Sequence, residues 1–226
     1  MEVVESIKKL QKIFKQNSWF EKDVDDVVFD SFCNLFIELN HSQRELILEL
    51  TERYTWICHN DYQSSALRAM EKVESSKLSG TKKIYLFPIV KPGDEGEIKS
   101  GVNFLYLVKS LKRLLNSYKL ISFEILAKFD DLSENNFRLK PDELLYLVDD
   151  YIGSGETLSE CLNHLLLNPN IDPGSINIIA LASLAETINE FKKRGLTLYV
   201  DHIQRKGISD FYNGKEFSEK HKIMYE

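Results

Sequence analysis

The chain predicts an α/β fold, a parallel sheet flanked by helices, carried behind an all-helical N-terminal extension. Three observations lead there. Beyond Gly80, short apolar runs at Ile84–Val90, Ile121–Phe129, Leu144–Val148, Ile176–Ala182 and Leu196–Val200 alternate with amphipathic stretches, the order that right-handed strand–helix–strand crossovers produce. The run Leu144-Leu145-Tyr146-Leu147-Val148 is almost continuously apolar, as a central strand buried on both faces must be. Before Ser75 the apolar residues recur instead at helical spacing, with charges between them.

Each element has its own signal. Val3, Val4, Ile7, Leu10 and Ile13 form the stripe of a first helix over 2–16. Ser18-Trp19-Phe20-Glu21 has the form of a capping box, and Val24, Val27, Val28, Phe32, Leu35 and Phe36 continue as a second helix. Ser42-Gln43-Arg44-Glu45 repeats the device ahead of a third, from about Gln43, which breaks near His59-Asn60-Asp61 and resumes to Val73. Trp19, Phe20 and Trp56 belong to the core of this region. Ser75–Gly80, rich in Ser and Gly, marks the boundary to the sheet domain, so the division is 1–80 and 81–226, the second part including a polar and aromatic tail.

Within the second part, Pro88 points to an irregular end of the first strand. A charged, glycine-containing loop, Lys91–Gly101, leads to a helix over Val102–Leu115. Asp130–Asp142 connects the second strand to the central one. The helix Leu158–Leu167 ends in Asn168-Pro169-Asn170-Ile171-Asp172-Pro173-Gly174. Ser183 and Glu186 form a third capping box for a helix over Leu184–Arg194, and Gly195 is its C-terminal stop.

Composition narrows the function classes. With 226 residues, 43% of them hydrophobic, the chain can bury a substantial core. No run approaches the ~18 apolar residues of a membrane span, and the charged N-terminus is not a secretory signal. The net charge of −6, with basic residues dispersed, does not indicate a nucleic-acid surface. Cys33, Cys58 and Cys161 lie far apart without a CxxC pair, which reads as reduced thiols in a cytoplasm. His59 beside Cys58 has no further ligands at zinc spacing.

The chemistry concentrates after the central strand. Asp149 and Asp150 follow Val148, at the strand's carboxyl end, where open α/β sheets bind ligands. Gly153, Ser154, Gly155, Glu156 and Thr157 then make a turn whose amides can surround an anion at a helix N-terminus. Vicinal hydroxyls suit paired carboxylate acceptors, and a phosphate monoester suits a ring of amides and hydroxyls.

This stretch, Val148-Asp149-Asp150-Tyr151-Ile152-Gly153-Ser154-Gly155-Glu156-Thr157, resembles the ribose-5-phosphate motif of the type I phosphoribosyltransferases. The fold implied is a type I phosphoribosyltransferase-like sheet flanked by helices. By that resemblance, Asp149 and Asp150 act at the 2′- and 3′-hydroxyls of phosphoribosyl pyrophosphate (PRPP), and Gly153–Thr157 hold its 5′-phosphate. The family also implies Mg²⁺ carried by PRPP, and a pyrophosphate loop after the first strand, here Lys91 with Lys99, Ser100 and Gly101. That loop is longer and more acidic than is usual there. The family's flexible hood corresponds to Asp130–Asp142, with Arg138 and Lys140 as its cations. Asp210, Phe211 and Tyr212 faintly resemble the base-recognition segment of purine phosphoribosyltransferases, although Ser209 replaces the expected Pro, and Asp201 and His202 replace a lysine.

The expected activity is phosphoribosyl transfer to a nitrogenous base, or a related transferase or hydrolase reaction on a nucleotide. The alternative is a regulator or effector that keeps the pocket and engages a protein partner, or a second copy of itself, through the N-terminal helices. The divergent loops and the helical addition resemble the phosphoribosyltransferase-like proteins of bacterial conflict and phage-defence systems.

Overall fold

A computed structural model of the protein describes residues 2–94 and 100–225. In chain order its helices are α1 (Val3–Gln16), α2 (Val27–Glu38), α3 (His41–Arg53), α4 (Tyr62–Glu71), α5 (Ser75–Leu78), α6 (Ser100–Leu111), α7 (Glu156–Leu165), α8 (Ala185–Lys193) and α9 (Gly214–Tyr225). The strands are β1 (Lys83–Pro88), β2 (Ser122–Ile125), β3 (Glu143–Ile152), β4 (Ile176–Leu184) and β5 (Leu198–Gln204). They divide into two compact units, Met1–Cys58 with Arg205–Glu226, and His59–Gln204. The sequence placed the division at residue 80 and left the tail with the sheet; packing places it elsewhere, for reasons visible in each unit.

The first unit is helical. Phe14 is fully buried at its centre, with the rings of Trp19, Phe20, Phe29, Phe32 and Trp56 at centroid distances of 5.2 to 6.5 Å, the spacing at which edge-to-face contact adds to burial. Trp19, Phe20 and Trp56 are thus core residues, as expected. The caps differ from the sequence expectation. Ser18 adopts a left-handed backbone (φ 54°) and caps nothing with its side chain. The exposed amides of α2 are instead taken by the buried Asp23, whose carboxylate accepts from Val28 at 2.9 Å and Phe29 at 2.8 Å. Asn40 and Gln43 form the capping box of α3, with bonds of 3.1 and 2.9 Å. Ser42 and Glu45 therefore lie inside the helix, because Asn40 starts it two residues earlier and accepts from the Gln43 amide.

The tail joins this unit through α3. Arg53 donates to the Gly207 carbonyl and to the Tyr212 hydroxyl, both at 2.8 Å, and Tyr212 donates onward to Glu49. Lys220 on α9 reaches both Glu49 oxygens at 2.7 Å. Burial acts to raise the Glu49 carboxyl, but the bonds from Lys220 and Tyr212 prevail and hold it below its usual range. The described part of the tail ends in α9.

The second unit is a five-stranded sheet ordered β2-β1-β3-β4-β5, with every pair parallel. On one face, α7 and α8 pack Leu158, Cys161, Leu162, Leu165 and Phe191 against Leu145, Leu147, Ile178, Ala180, Leu198 and Val200. Because side chains alternate across a strand, Tyr146 points the other way, where its hydroxyl meets Tyr118, which donates to the Met70 carbonyl of α4 at 3.0 Å. On this face α4 packs on β4 and β5, and α6 on β1 and β3. That is why α4, read from sequence as extension, belongs with the sheet. Residues 144 to 148 are all 9% exposed or less; burying side chains of this size contributes about 1.5–3 kcal/mol each, which fixes β3 as the central strand.

Three further elements differ in extent. Ser75–Leu78, expected as a linker, is a short helix. β2 stops at Ile125, and Phe129–Leu132 forms a 3-10 turn with both apolar ends buried. Ser183 is not a cap: it lies inside β4, and α8 begins without a side-chain cap. Gly195 does stop α8, at φ +79°, with the Leu196 amide bonding back to Phe191 at 3.0 Å. The three cysteines are free thiols. Among the described residues no helix is long and apolar enough to cross a membrane.

Candidate functional site

In the order 2-1-3-4-5 the chain reverses direction across the sheet between β1 and β3, and the crevice at the carboxyl ends of those strands is where such sheets bind ligands. Both sequence candidates for anion contact leave the sheet there: the loop after β1, starting at Lys91, and the turn after β3, from Gly153 to Gly155.

Asp149 and Asp150 lie within β3, which runs on to Ile152. Successive residues face opposite sides of a sheet, so the two carboxylates take up different surroundings, and both are half-buried. Asp149 Oδ1 accepts from the amide of Asp150 at 2.9 Å. The first turn of α6 runs directly against Asp149: a Cβ on Gly101 would lie 3.0 Å from Asp149 Oδ1 and 3.7 Å from the Val148 carbonyl. The positive end of a helix dipole thus meets a carboxylate, and glycine lets the helix come that close. Gly101 is in this way packed against Asp149. Ser100 begins α6, and Lys99 lies outside the described residues.

Asp150 has a partner that sequence reasoning missed. The hydroxyl of Tyr62, the first residue of α4, donates to Asp150 Oδ2 at 3.2 Å. Burial raises the Tyr62 hydroxyl above its ordinary value, and the charge of Asp150 raises it further, so it stays a neutral donor. The His59 ring lies 5.6 Å from that of Tyr62. α4 is clamped in place by the middle of β5. Ser65 donates to Asp201 at 2.7 Å, Arg68 at 2.9 and 2.6 Å, and Lys72 reaches the Val200 carbonyl at 2.6 Å. Tyr62, Ser65 and Arg68 are spaced by threes along one helix face. His202 Nε2 lies 3.0 Å from Asp201 Oδ2. Burial acts to raise the Asp201 carboxyl, and the bonds from Arg68 and Ser65 overturn that, holding it below its usual range.

The turn after β3 is tightly seated. Gly155 has φ +80°, and a Cβ there would come within 2.7 Å of the Phe191 ring and 2.9 Å of Thr187. Thr187 also donates to the Gly153 carbonyl at 2.6 Å, so α8 holds the turn from behind. Ser154 Oγ accepts from the Glu156 amide at 3.4 Å. α7 starts at Glu156, and the amides of a helix's first turn have no partner within the helix. Thr157 is half-buried in that turn.

Lys91 is turned to a different task from the one expected. Its ammonium binds Glu156 and Glu160, each at 2.8 Å, and those bonds raise the lysine and lower Glu156. Glu156, the first residue of α7, is thereby neutralised by a cation from the β1 loop. Beneath the crevice, burial pushes the Cys161 thiol up to about 12, which leaves it protonated and unreactive.

The expected hood lies elsewhere. Arg138 and Lys140 precede β3, and Lys140 bonds to Glu143, the strand's first residue. Six residues of strand at ~3.3 Å each put that end about 20 Å from Asp149. The connection is held there by Asn168, which donates to the Leu132 and Phe137 carbonyls at 2.8 and 3.0 Å, so it is no hood over the acidic pair. Asp210, Phe211 and Tyr212 belong to the first unit. Asp210 accepts from the Lys206 amide at 2.8 Å, the Phe211 ring has Arg53 at 4.1 Å and Arg205 at 4.2 Å from its centroid, and Tyr212 is buried against Glu49 and Arg53.

No family model and no curated protein matches the chain. Among solved structures, a hypoxanthine-guanine phosphoribosyltransferase from Schistosoma mansoni in complex with IMP is similar at a TM-score of 0.41 and 15% identity, over 68% of this chain and 69% of that one. The AQ2163 protein from Aquifex aeolicus is similar at a TM-score of 0.39 and 7% identity, over 74% of this chain and 78% of that one.

Proposed function

We propose that this protein binds PRPP, or a nucleotide carrying ribose 5-phosphate, and transfers the phosphoribosyl group to a nitrogenous base or related acceptor with release of pyrophosphate. The observation that carries the reading is the placement of Asp149 and Asp150 at the β1/β3 crevice, with Tyr151 and Ile152 between them and a Gly-Ser-Gly turn that opens α7. Carboxylates accept from the two ribose hydroxyls. The 5′-phosphate lies in the turn, on first-turn amides and the Ser154 and Thr157 hydroxyls, with the helix dipole behind it.

The reaction asks little acid–base chemistry of the protein. The bond from the anomeric carbon to the diphosphate breaks, its electron pair leaving with the diphosphate, and a nitrogen lone pair of the acceptor forms the new bond and sheds its proton. Positive charge develops at the anomeric carbon, and the nearby carboxylates favour it electrostatically. Magnesium, which keeps a shell of oxygens and draws one or two carboxylates from a protein, fits this oxygen-rich site as a companion of the diphosphate, with Asp149 and Asp150 on hand. It would neutralise the departing charge. A cytoplasmic setting accords with the free thiols.

A second reading, a nucleotide-sensing regulator that binds without turnover and acts through a partner on its N-terminal helices, is favoured by one observation. Lys91, the cation at the start of the pyrophosphate loop, is already engaged by Glu156 and Glu160. Pyrophosphate release from PRPP and Mg²⁺ across a panel of purine and pyrimidine bases separates the two. Base-dependent release supports the transferase; tight PRPP binding with no release from any base supports the regulator.

A further inference from the structure

The first unit holds a cavity of about 440 Å³ between α1, α2 and α3. Its walls are aromatic: Phe14 at the floor, Trp19, Phe32 and Trp56 around it, and Tyr54, 63% exposed, at the rim. These rings stand edge to face, with Trp19 at 6.1 Å from Tyr54 and 6.0 Å from Trp56, and interplanar angles of 78° and 73°. The lining carries no charged side chain. Its buried hydroxyl is that of Thr51, which donates to the Ile47 carbonyl at 2.6 Å, leaving the oxygen able to accept.

Such a space is costly to leave unfilled, because wall atoms lose their dispersion partners and water gains little from an apolar surface. A packed helical unit would ordinarily close it, since protein interiors are as dense as organic crystals. The volume lies within the ~300–1,000 Å³ of small-molecule sites and is about three times that of an apolar cavity that admits benzene. We propose that this cavity is a binding site for an uncharged, planar molecule of two or three aromatic rings with a single N–H or O–H donor. Ring edges and faces at mixed angles accept a flat molecule in offset or edge-to-face contact. A charged ligand would be desolvated there without a counter-ion.

The chain supplies its own reporter, since both of its tryptophans line the cavity. The test is titration of the full chain with N-phenyl-1-naphthylamine, a neutral three-ring probe with one N–H, exciting the tryptophans and reading energy transfer to the probe. The expected result is saturable binding of one probe per chain with quenching of tryptophan emission. Filling the cavity with Ile47→Phe or Val28→Phe should weaken binding at least tenfold with unchanged circular dichroism. Should either variant fail to fold, amide exchange of the unaltered protein decides: the probe should slow exchange in α1, α2 and α3. Non-saturable transfer, several equal sites per chain, undiminished affinity in folded filled variants, or no slowing in those helices would each overturn the proposal.

Discussion

Gly155 sits where a side chain has nowhere to go. Its left-handed backbone costs a non-glycine residue about 1–2 kcal/mol, and its Cβ would collide with Phe191 and Thr187, which line the back of the turn. Overpacking of that kind costs about 1–3 kcal/mol more. Gly155→Ala should therefore lower the unfolding free energy by about 2–5 kcal/mol in urea denaturation and weaken phosphate binding more than it alters the acidic pair. A variant of unchanged stability would contradict the close packing of the turn on Phe191 and Thr187. Gly101 has a different justification, since its backbone is ordinary and its lack of a side chain admits Asp149. The Gly-Ser-Gly composition was legible from sequence because glycine leaves a local mark. Tyr62 was not, for it meets Asp150 across 88 positions of chain and nothing beside it announces an acidic neighbour.

At the scale of elements, α4 is the helix whose assignment changed most. Its amphipathic pattern is the same whether it packs on other helices or on a sheet, so periodicity identified the helix but not its neighbour. The clamp to β5 decides that, and it is open to a pH test. Asp201 titrates below its ordinary 3.8 in the folded protein, so its contribution is fully present above that value and is lost as pH falls through the lowered folded one. Unfolding midpoints measured from pH 7 to pH 3 should fall steeply at the acid end. Asp201→Asn should flatten that fall and lower stability near neutrality. An identical acid slope in the variant would mean that the clamp does not contribute. The strands were legible where both faces are buried, as in Leu144–Val148. Caps were misplaced by a few residues because several Ser, Asp and Asn side chains compete for the same amides, and only three-dimensional geometry selects Asp23 and Asn40.

At the scale of the molecule, the polypeptide leaves its helical unit after Cys58, builds the sheet, and returns at Arg205. No boundary composition marks the return, because the tail is tied by Arg53, Glu49, Tyr212 and Lys220, each unremarkable in sequence. Removal of residues 205–226 should raise amide exchange rates in α1 to α3 while leaving those of β3 and β4 slow. Unaltered protection in α3 would contradict the tail's place in that unit. The fold class, the central strand and the candidate acids followed from local pattern, whereas the partition of the chain and the partner of Asp150 depend on contacts that sequence spacing does not encode.

The central claim is that the β3 acids and the turn after them hold ribose 5-phosphate. Isothermal titration of ribose 5-phosphate and of PRPP with Mg²⁺ into the protein, and into the Asp149→Asn/Asp150→Asn double variant, tests it most directly. One site per chain is expected in the unaltered protein, with a loss of at least a hundredfold in affinity in the double variant, two charge-assisted pairs at about 1.5–3 kcal/mol each, and the fold retained. Equal affinity in the two proteins, or no binding of either ligand to the unaltered chain, would contradict it.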